Sequence, residues 1–440
     1  MNKKYKNLLK EFIKFKSVST SDEFKSEIEK TVEWLERTFK SKGFKVKIIK
    51  GYDNPVVLAE YIQNKEYETA LIYGHYDVQP ASESEGWSSD PFKLTERSGR
   101  LYARGVVDNK GQVMIHIINI FNLIEKGKLK YNIKFFIEGN EETGSPNLEK
   151  CIKDKKKLLN CDFIMISDGE ITSDYPVVEA GFRGGFNSTL KCITSDKDLH
   201  SGLYGGASPI ASHELIKIIN RIYKENGSIA INGFYDNVDD IGDEIREMNK
   251  NIPFDLDYYK KLSGTKALVT EDNNDFYTQT GLRPAVVVTG LDSGYTGEGY
   301  RNSIPSYATA KINFRLVKSQ DPKMIVELFK KFIKKQVPNY VDYKLDIASP
   351  YYGIKLNLDN EYIKTARKHL KKAFGKEPLV KFCGGGLPIV TYFNDILSVP
   401  QILAPLANED CGMHSVDENY NLKIVKKALD FSDSFWSKSF

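Results

Sequence analysis

Cysteine is scarce in this chain, with five residues (Cys151, Cys161, Cys192, Cys383 and Cys411) in 440. The number is odd and no two share a metal-type pair spacing, so neither a disulfide framework nor a thiolate metal site is expected. Scattered reduced thiols in a cytoplasmic protein are the expectation. Long apolar runs are missing too. The longest mostly apolar stretch, Val113 to Ile124, is broken by His116 and Asn119 and is too short to cross a bilayer. The opening "MNKKYKNLLKEFIKFKSVST" is charged throughout and carries no apolar core of signal-peptide length. Nor is there an excess of one charge: 63 Lys and Arg against 59 Asp and Glu leave a net +4, with the lysines spread along the chain. That balance describes a solvated surface, so no nucleic-acid partner and no membrane partner are expected. Internal repeats and low-complexity segments are absent as well.

What is present is a soluble, globular composition, 41% hydrophobic and 28% charged, in a chain too long for one ordinary domain. The first stretch alternates helices and strands. Helical patterns over Tyr5 to Phe15 and Lys25 to Lys42 precede strand-like runs at Lys45 to Ile49, Val56 to Tyr61 and Thr69 to Tyr73. "DNKGQVMIHIINIFNLIEKG" has helical spacing and a closing glycine, and "YNIKFFIEG" and "CDFIMIS" read as buried strands. This alternation predicts an α/β fold with a helix-covered, mostly parallel sheet. From about Arg183 the pattern changes to strand, helix, an acidic polar stretch (Asp236 to Asp257), two strands, helix and strand. An α+β unit over 183–352, inserted between 1–182 and 353–440, accounts for that order.

Chemistry-bearing residues collect where the strands stop. "TALIYG" runs into His75 and Asp77, "NIKFFIEG" into Glu141 and Glu142, and "CDFIMIS" into Asp168. In open α/β sheets ligands bind beyond the carboxyl ends of the strands. Asp108, in "ARGVVDNKG", and His414, in "GMHSVDE", complete the set. His75 and Asp77 are two apart, so in extended chain they project to one side. We prefer Asp77 as the carboxylate that orients the His75 ring rather than as a ligand itself. His75, Asp108, Glu142, Asp168 and His414 then number too many for one catalytic zinc but suit two divalent ions that share a carboxylate. Mixed imidazole and carboxylate ligands favour zinc, with manganese or cobalt as alternatives. Adjacent glutamates repel unless they have separate tasks; Glu142 can ligate while Glu141 takes a proton from water. Singly, each of these residues has an ordinary explanation as a turn cap or surface charge, and the weight lies in the joint pattern. His116, His213 and His369 fall inside helical patterns and are assigned structural roles.

The ordered motifs "YGHYDVQP", "WSSDPF", "LYARGVVDNKG", "EGNEETGS", "SDG", "DLHSGLYGG" and "HSVDE" span nearly the whole chain. Together they resemble the dinuclear zinc exopeptidases and deacylases that include carnosinase-type dipeptidases, glutamate carboxypeptidase and aminoacylase, with the dipeptidase branch most similar. The resemblance implies that Asp108 bridges the ions, with His75 and Asp168 completing one site and Glu142 and His414 the other. It implies a cis peptide after Asp108, Glu141 as general base and proton donor, and Asp77 as the residue orienting His75. It makes the inserted unit a lid and dimerisation domain. From that domain His200 would reach the partner's site in a homodimer and stabilise an oxyanion, with Asn302 nearby. Arg315 would bind the substrate's carboxylate. Gly386, in "CGGGLPIV", stands where related dipeptidases carry a serine that contacts substrate. The residues after Asp168 ("GEI") lack an aromatic found in some relatives. The function so implied is metal-dependent hydrolysis of dipeptides or short peptides. The alternatives are an N-acyl amino acid deacylase of desuccinylase or deacetylase type and, from another class, a catalytically silent binding protein.

Overall fold

The computed structural model describes residues 3–438. It divides into two compact units, one of Met1–Ala180, Leu356–Lys381 and Ile389–Phe440, the other of Gly181–Lys355 and Phe382–Pro388. In the first unit the apolar runs form one sheet. Its order is Lys45–Ile49, Val56–Tyr61, Asn132–Glu138, Thr69–His75, Phe163–Ile166 and Gln401–Leu403. The last four strands run parallel to one another, and the first two add antiparallel at one edge.

A sheet of this kind needs cover on both faces, and the two-residue alternation of its strands provides for it. Ala70, Ile72, Phe135 and Ile137 enter a core shared with the helices Lys3–Ile13, Lys25–Lys40, Lys110–Glu125 and Leu422–Trp436. Tyr73 and Phe136 point the other way, and both rings meet Phe393, at 6.0 and 5.9 Å between centroids. The helix Lys25–Lys40 shows why such segments pack as they do. Ile28, Val32, Leu35 and Phe39 recur at three- and four-residue steps and are its buried stripe. Phe39 then touches Phe44, Phe121 and Phe135.

Lys110–Glu125 is buried almost all round, including the two polar residues that interrupt its apolar run. Burial of that kind is tolerated only with hydrogen-bond partners. Asn119 donates to the Leu429 carbonyl at 2.8 Å. The Trp436 indole N–H donates to His116 Nδ1 at 3.1 Å, so the ring's own N–H is at Nε2, facing the Ser167 hydroxyl at 3.0 Å. Burial lowers the His116 pKa to about 3, which keeps this ring neutral. His369 meets the Ser434 hydroxyl, and His213 lies in the helix Ala211–Asn220.

The second unit is an antiparallel sheet in the order Ala285–Asp292, Tyr307–Leu316, Gly184–Ile193 and Asp342–Tyr351. Strict alternation marks Tyr307–Leu316: Ala308, Ala310, Ile312, Phe314 and Leu316 are buried. They share a core with Leu215 and Ile218 of Ala211–Asn220 and with Phe329 and Ile333 of Pro322–Gln336. The intervening residues, Arg315 among them, lie on the opposite face. The acidic stretch read as merely polar holds the helix Asp243–Lys250, and a second helix, Leu256–Ser263, starts at its end. Only Asn249 is buried on them, so no apolar stripe announces them. The second is started instead by Asp255, whose carboxylate accepts from the N–H groups of Asp257 and Tyr258.

Candidate metal centre

Three adjacent parallel strands stop at the same edge of the first unit's sheet. Thr69–His75 ends on His75 itself, Asn132–Glu138 is followed by the single turn Glu141–Thr143, and Phe163–Ile166 by Ser167 and Asp168. Asp108 enters from the loop before Lys110–Glu125, and His414 from the loop before the strand Asn419–Asn421.

The five side chains named as ligands form two groups with one member in common. His75 Nε2 lies 3.0 Å from Asp108 Oδ1 and 3.6 Å from Asp168 Oδ2. His414 Nε2 lies 2.8 Å from Asp108 Oδ2 and 3.1 Å from Glu142 Oε2. Asp108 thus turns one oxygen to each group. Within each trio, His75–Asp108–Asp168 and Asp108–Glu142–His414, the ligand atoms are all within 4.8 Å of one another. The Asp108–Asn109 peptide bond is cis.

Neighbouring groups fix these side chains. The His75 ring places Nδ1 3.0 Å from the Asp77 carbonyl and 3.3 Å from its carboxylate Oδ1, leaving Nε2 for the shared centre. Asp77 does more than the sequence suggested. Its carboxylate also accepts the N–H groups of Glu141 and Glu142 and the Ser19 hydroxyl, which sets the turn that carries both glutamates. Glu142 accepts in turn from the Gln79 backbone and side chain, at 3.2 and 2.7 Å.

One residue went unnoticed in the sequence. Glu418 is fully buried. Its Oε1 accepts from the N–H groups of Val107 and Asp108, and its Oε2 from Gly105 N–H and the Arg104 guanidinium. It ties the loop bearing Asp108 to the segment bearing His414, four residues away. The only sequence signal was the acidic end of "HSVDE", which reads equally well as surface charge.

The electrostatics follow from crowding charge in a dry place. Burial raises the Glu141 carboxyl well above the usual range; His75 opposes the shift, and Asp168, Asp108 and Glu142 add to it. Burial likewise raises Asp168 to about 7, with His75 opposing and Asp108 adding. For Asp108 burial is outweighed by the two imidazoles, which hold it below the ordinary carboxylate range. Hydrogen bonds with Asp108 and then Glu142 raise His414 to about 10. Burial would lower His75, but Asp108, Asp77 and Asp168 raise it well above its usual value.

His200, Asn302, Arg315 and Gly386 belong to the second unit. His200 and Asn302 are brought together there: His200 pairs with Ser303 across a short ladder, and Ser201 N–H donates to the Asn302 carbonyl. His200 is exposed, with Nδ1 accepting the Gly202 N–H at 3.1 Å. Arg315 and Gly386 both meet Tyr351.

The donor set fits two divalent cations. Three carboxylates (Asp108, Glu142, Asp168) face two imidazoles, and among the described residues no lysine or arginine forms an ion pair with any of them. Hard and borderline ligands mixed in this way suit zinc, manganese or cobalt.

Comparison with known proteins points the same way. The profile described as Peptidase family M20/M25/M40 matches residues 71–438. Beta-Ala-His dipeptidase of Homo sapiens is 32% identical over 379 residues, covering 83% of this chain and 74% of that protein. Cys-Gly metallodipeptidase dug1 of Schizosaccharomyces pombe is 30% identical over 387 residues, covering 85% and 80%. The crystal structure of an M20 family metallo-carboxypeptidase from Sulfolobus solfataricus matches with a TM-score of 0.91 at 31% identity, over 99% of both chains.

Metal loading has to displace protons, because ligating imidazoles must be neutral. In the metal-free protein at pH 7, His414 with its pKa of about 10 holds a proton, and against the effect of burial the His75 pKa is raised as well by Asp108, Asp77 and Asp168. Titrating manganese or zinc into metal-free protein is therefore expected to release protons, with affinity rising between pH 6 and 8. An indicator dye in weak buffer reads the release; proton uptake, or affinity falling with pH, contradicts this arrangement.

Proposed function

The chain belongs to the M20/M25/M40 family of metal-dependent peptidases, and on that premise we propose that it hydrolyses the amide bond of dipeptides or short peptides. The observation that carries the proposal is the double use of Asp108, one oxygen toward His75 and Asp168 and the other toward His414 and Glu142. Two divalent cations held by these five residues, with zinc favoured over manganese or cobalt, would supply Lewis acidity toward a carbonyl and acidify water. Elemental analysis of the purified protein decides the metal.

Glu141 is the general base in this reading. It sits on the turn held by Asp77, beside the ligands but outside both trios. A carboxyl whose surroundings favour the protonated form accepts a proton from attacking water and returns it to the leaving amine. Asp77 keeps His75 and both glutamates in place. The relatives are named as dipeptidases, which favours an amide between two amino acids over an N-acyl amino acid. A silent binding protein would have no use for Glu141. We assign Arg315 to the substrate's carboxylate and His200, with Asn302 beside it, to the oxyanion of the partner's site in a homodimer. Five cysteines without a disulfide accord with a cytoplasmic location, which fractionation of the source cells would test; no helix among the described residues is long and apolar enough to cross a membrane.

The Glu141→Gln variant is expected to keep its metal content while losing at least the roughly 10²–10⁴-fold that general-base assistance contributes. Dipeptide turnover with parallel metal analysis measures both, and near-normal turnover refutes the assignment of Glu141. The same assay run on N-acetyl and N-succinyl amino acids tests the substrate class, since preference for those would make the protein a deacylase.

The homodimer reading has its own check. Mixing inactive His200→Ala with inactive Glu141→Ala protein should restore activity once subunits exchange, because some mixed dimers then hold one intact site. Absence of recovery after proven exchange contradicts the role of His200 across the interface.

A further inference from the structure

Arg315, Gly185 and Tyr351 form one row across three strands of the second unit. Gly185 of the middle strand is the register partner of Arg315 on one side and of Tyr351 on the other. Cross-strand partners project to the same face, which here is the face opposite the helix-covered core. Gly185 brings no side chain between Arg315 and Tyr351, and a Cβ there would fall 2.0 Å from the Phe314 carbonyl oxygen, so the strands approach too closely for another residue. Arg315 Nη1 donates to the Tyr351 hydroxyl at 3.3 Å.

The phenol also explains the glycine at 386. A Cβ built on Gly386 would fall 2.2 Å from the Tyr351 hydroxyl and 2.9 Å from its Cζ. Real Cβ atoms essentially never come within 3.0 Å of a non-bonded neighbour, so any side chain at 386 would have to displace the ring. The loop is fixed from below by Arg183, which donates from Nε to the Gly384 carbonyl at 2.9 Å and from its backbone N–H to the Gly385 carbonyl. Arg183 lies close enough to Arg315 for their charges to repel. Among the described residues neither guanidinium has a carboxylate partner, and the Tyr351 hydroxyl proton has no acceptor. Positive charge without a counter-ion, next to an unused O–H, is a site prepared for an anion.

We infer that Tyr351 is a specificity-determining residue, whose hydroxyl joins Arg315 in binding the substrate's terminal carboxylate from the space a side chain at 386 would fill. The inference rests on the reading of Arg315 as the carboxylate-binding residue. Because the phenol oxygen accepts from Arg315, its own O–H remains available to donate, so the pair can offer two donors to one carboxylate.

The test compares a dipeptide with its C-terminal amide in wild type, Tyr351→Phe, Gly386→Ala and Arg315→Met. In Tyr351→Phe, discrimination in kcat/KM between free acid and amide should fall about tenfold, the usual scale for a hydrogen bond to a charged group. The loss should appear mainly in KM. Gly386→Ala, which leaves the hydroxyl in the protein but pushes the ring aside, should do the same. Thermal unfolding of each variant establishes that it is folded. Discrimination retained in Tyr351→Phe but lost in Arg315→Met overturns the inference about Tyr351 alone. Discrimination retained in Arg315→Met as well overturns the reading of Arg315 beneath it.

Discussion

One carboxylate shared by two imidazoles organises this protein. Asp108 presents Oδ1 to His75 and Oδ2 to His414, and each histidine brings a further carboxylate within reach. Without a source of positive charge, Asp108, Glu142 and Asp168 could not be held so close. The histidines meet part of that demand, and divalent cations held there would meet the remainder. The sheet places His75, Glu142 and Asp168 at its carboxyl edge, and the loops lock Asp108 and His414 onto them through Glu418.

The division of labour proposed for the adjacent glutamates rests on their different surroundings. Glu142 is turned toward Asp108 and His414 and steadied by Gln79. Glu141 shares the same turn, held by Asp77, yet stays outside both ligand trios with its pKa raised by burial and neighbouring carboxylates. Two identical side chains, adjacent in the chain, are thereby placed in different surroundings. Burial is the main cause of the Glu141 shift, and repulsion from Glu142 contributes least among its charged neighbours.

Much of this was legible in the sequence because strand ends are legible. His75, Glu141, Glu142 and Asp168 follow directly from apolar runs, and a parallel sheet gathers such ends into one place. The mostly parallel sheet and the inserted α+β unit were visible for the same reason, since hydrophobic period distinguishes strand from helix. Tertiary arrangements left weaker traces. Glu418 looks like any acidic residue until its four partners from residues 104–108 are seen. The row of Arg315, Gly185 and Tyr351 depends on register between strands far apart in the chain, which no local pattern encodes. The helices at Asp243–Lys250 and Leu256–Ser263 bury almost nothing and so lacked a stripe to read. Gly386 stood out as a departure from related dipeptidases, and only Tyr351 gives it a physical reason.

The central claim is that Asp108 serves two cations at once, and calorimetric titration of metal-free protein tests it most directly. The account predicts two divalent ions per chain in wild type and weakened binding of both in Asp108→Ala, whereas His414→Ala should weaken only one. A single ion per chain in wild type, or two ions bound as tightly in Asp108→Ala as before, would contradict it.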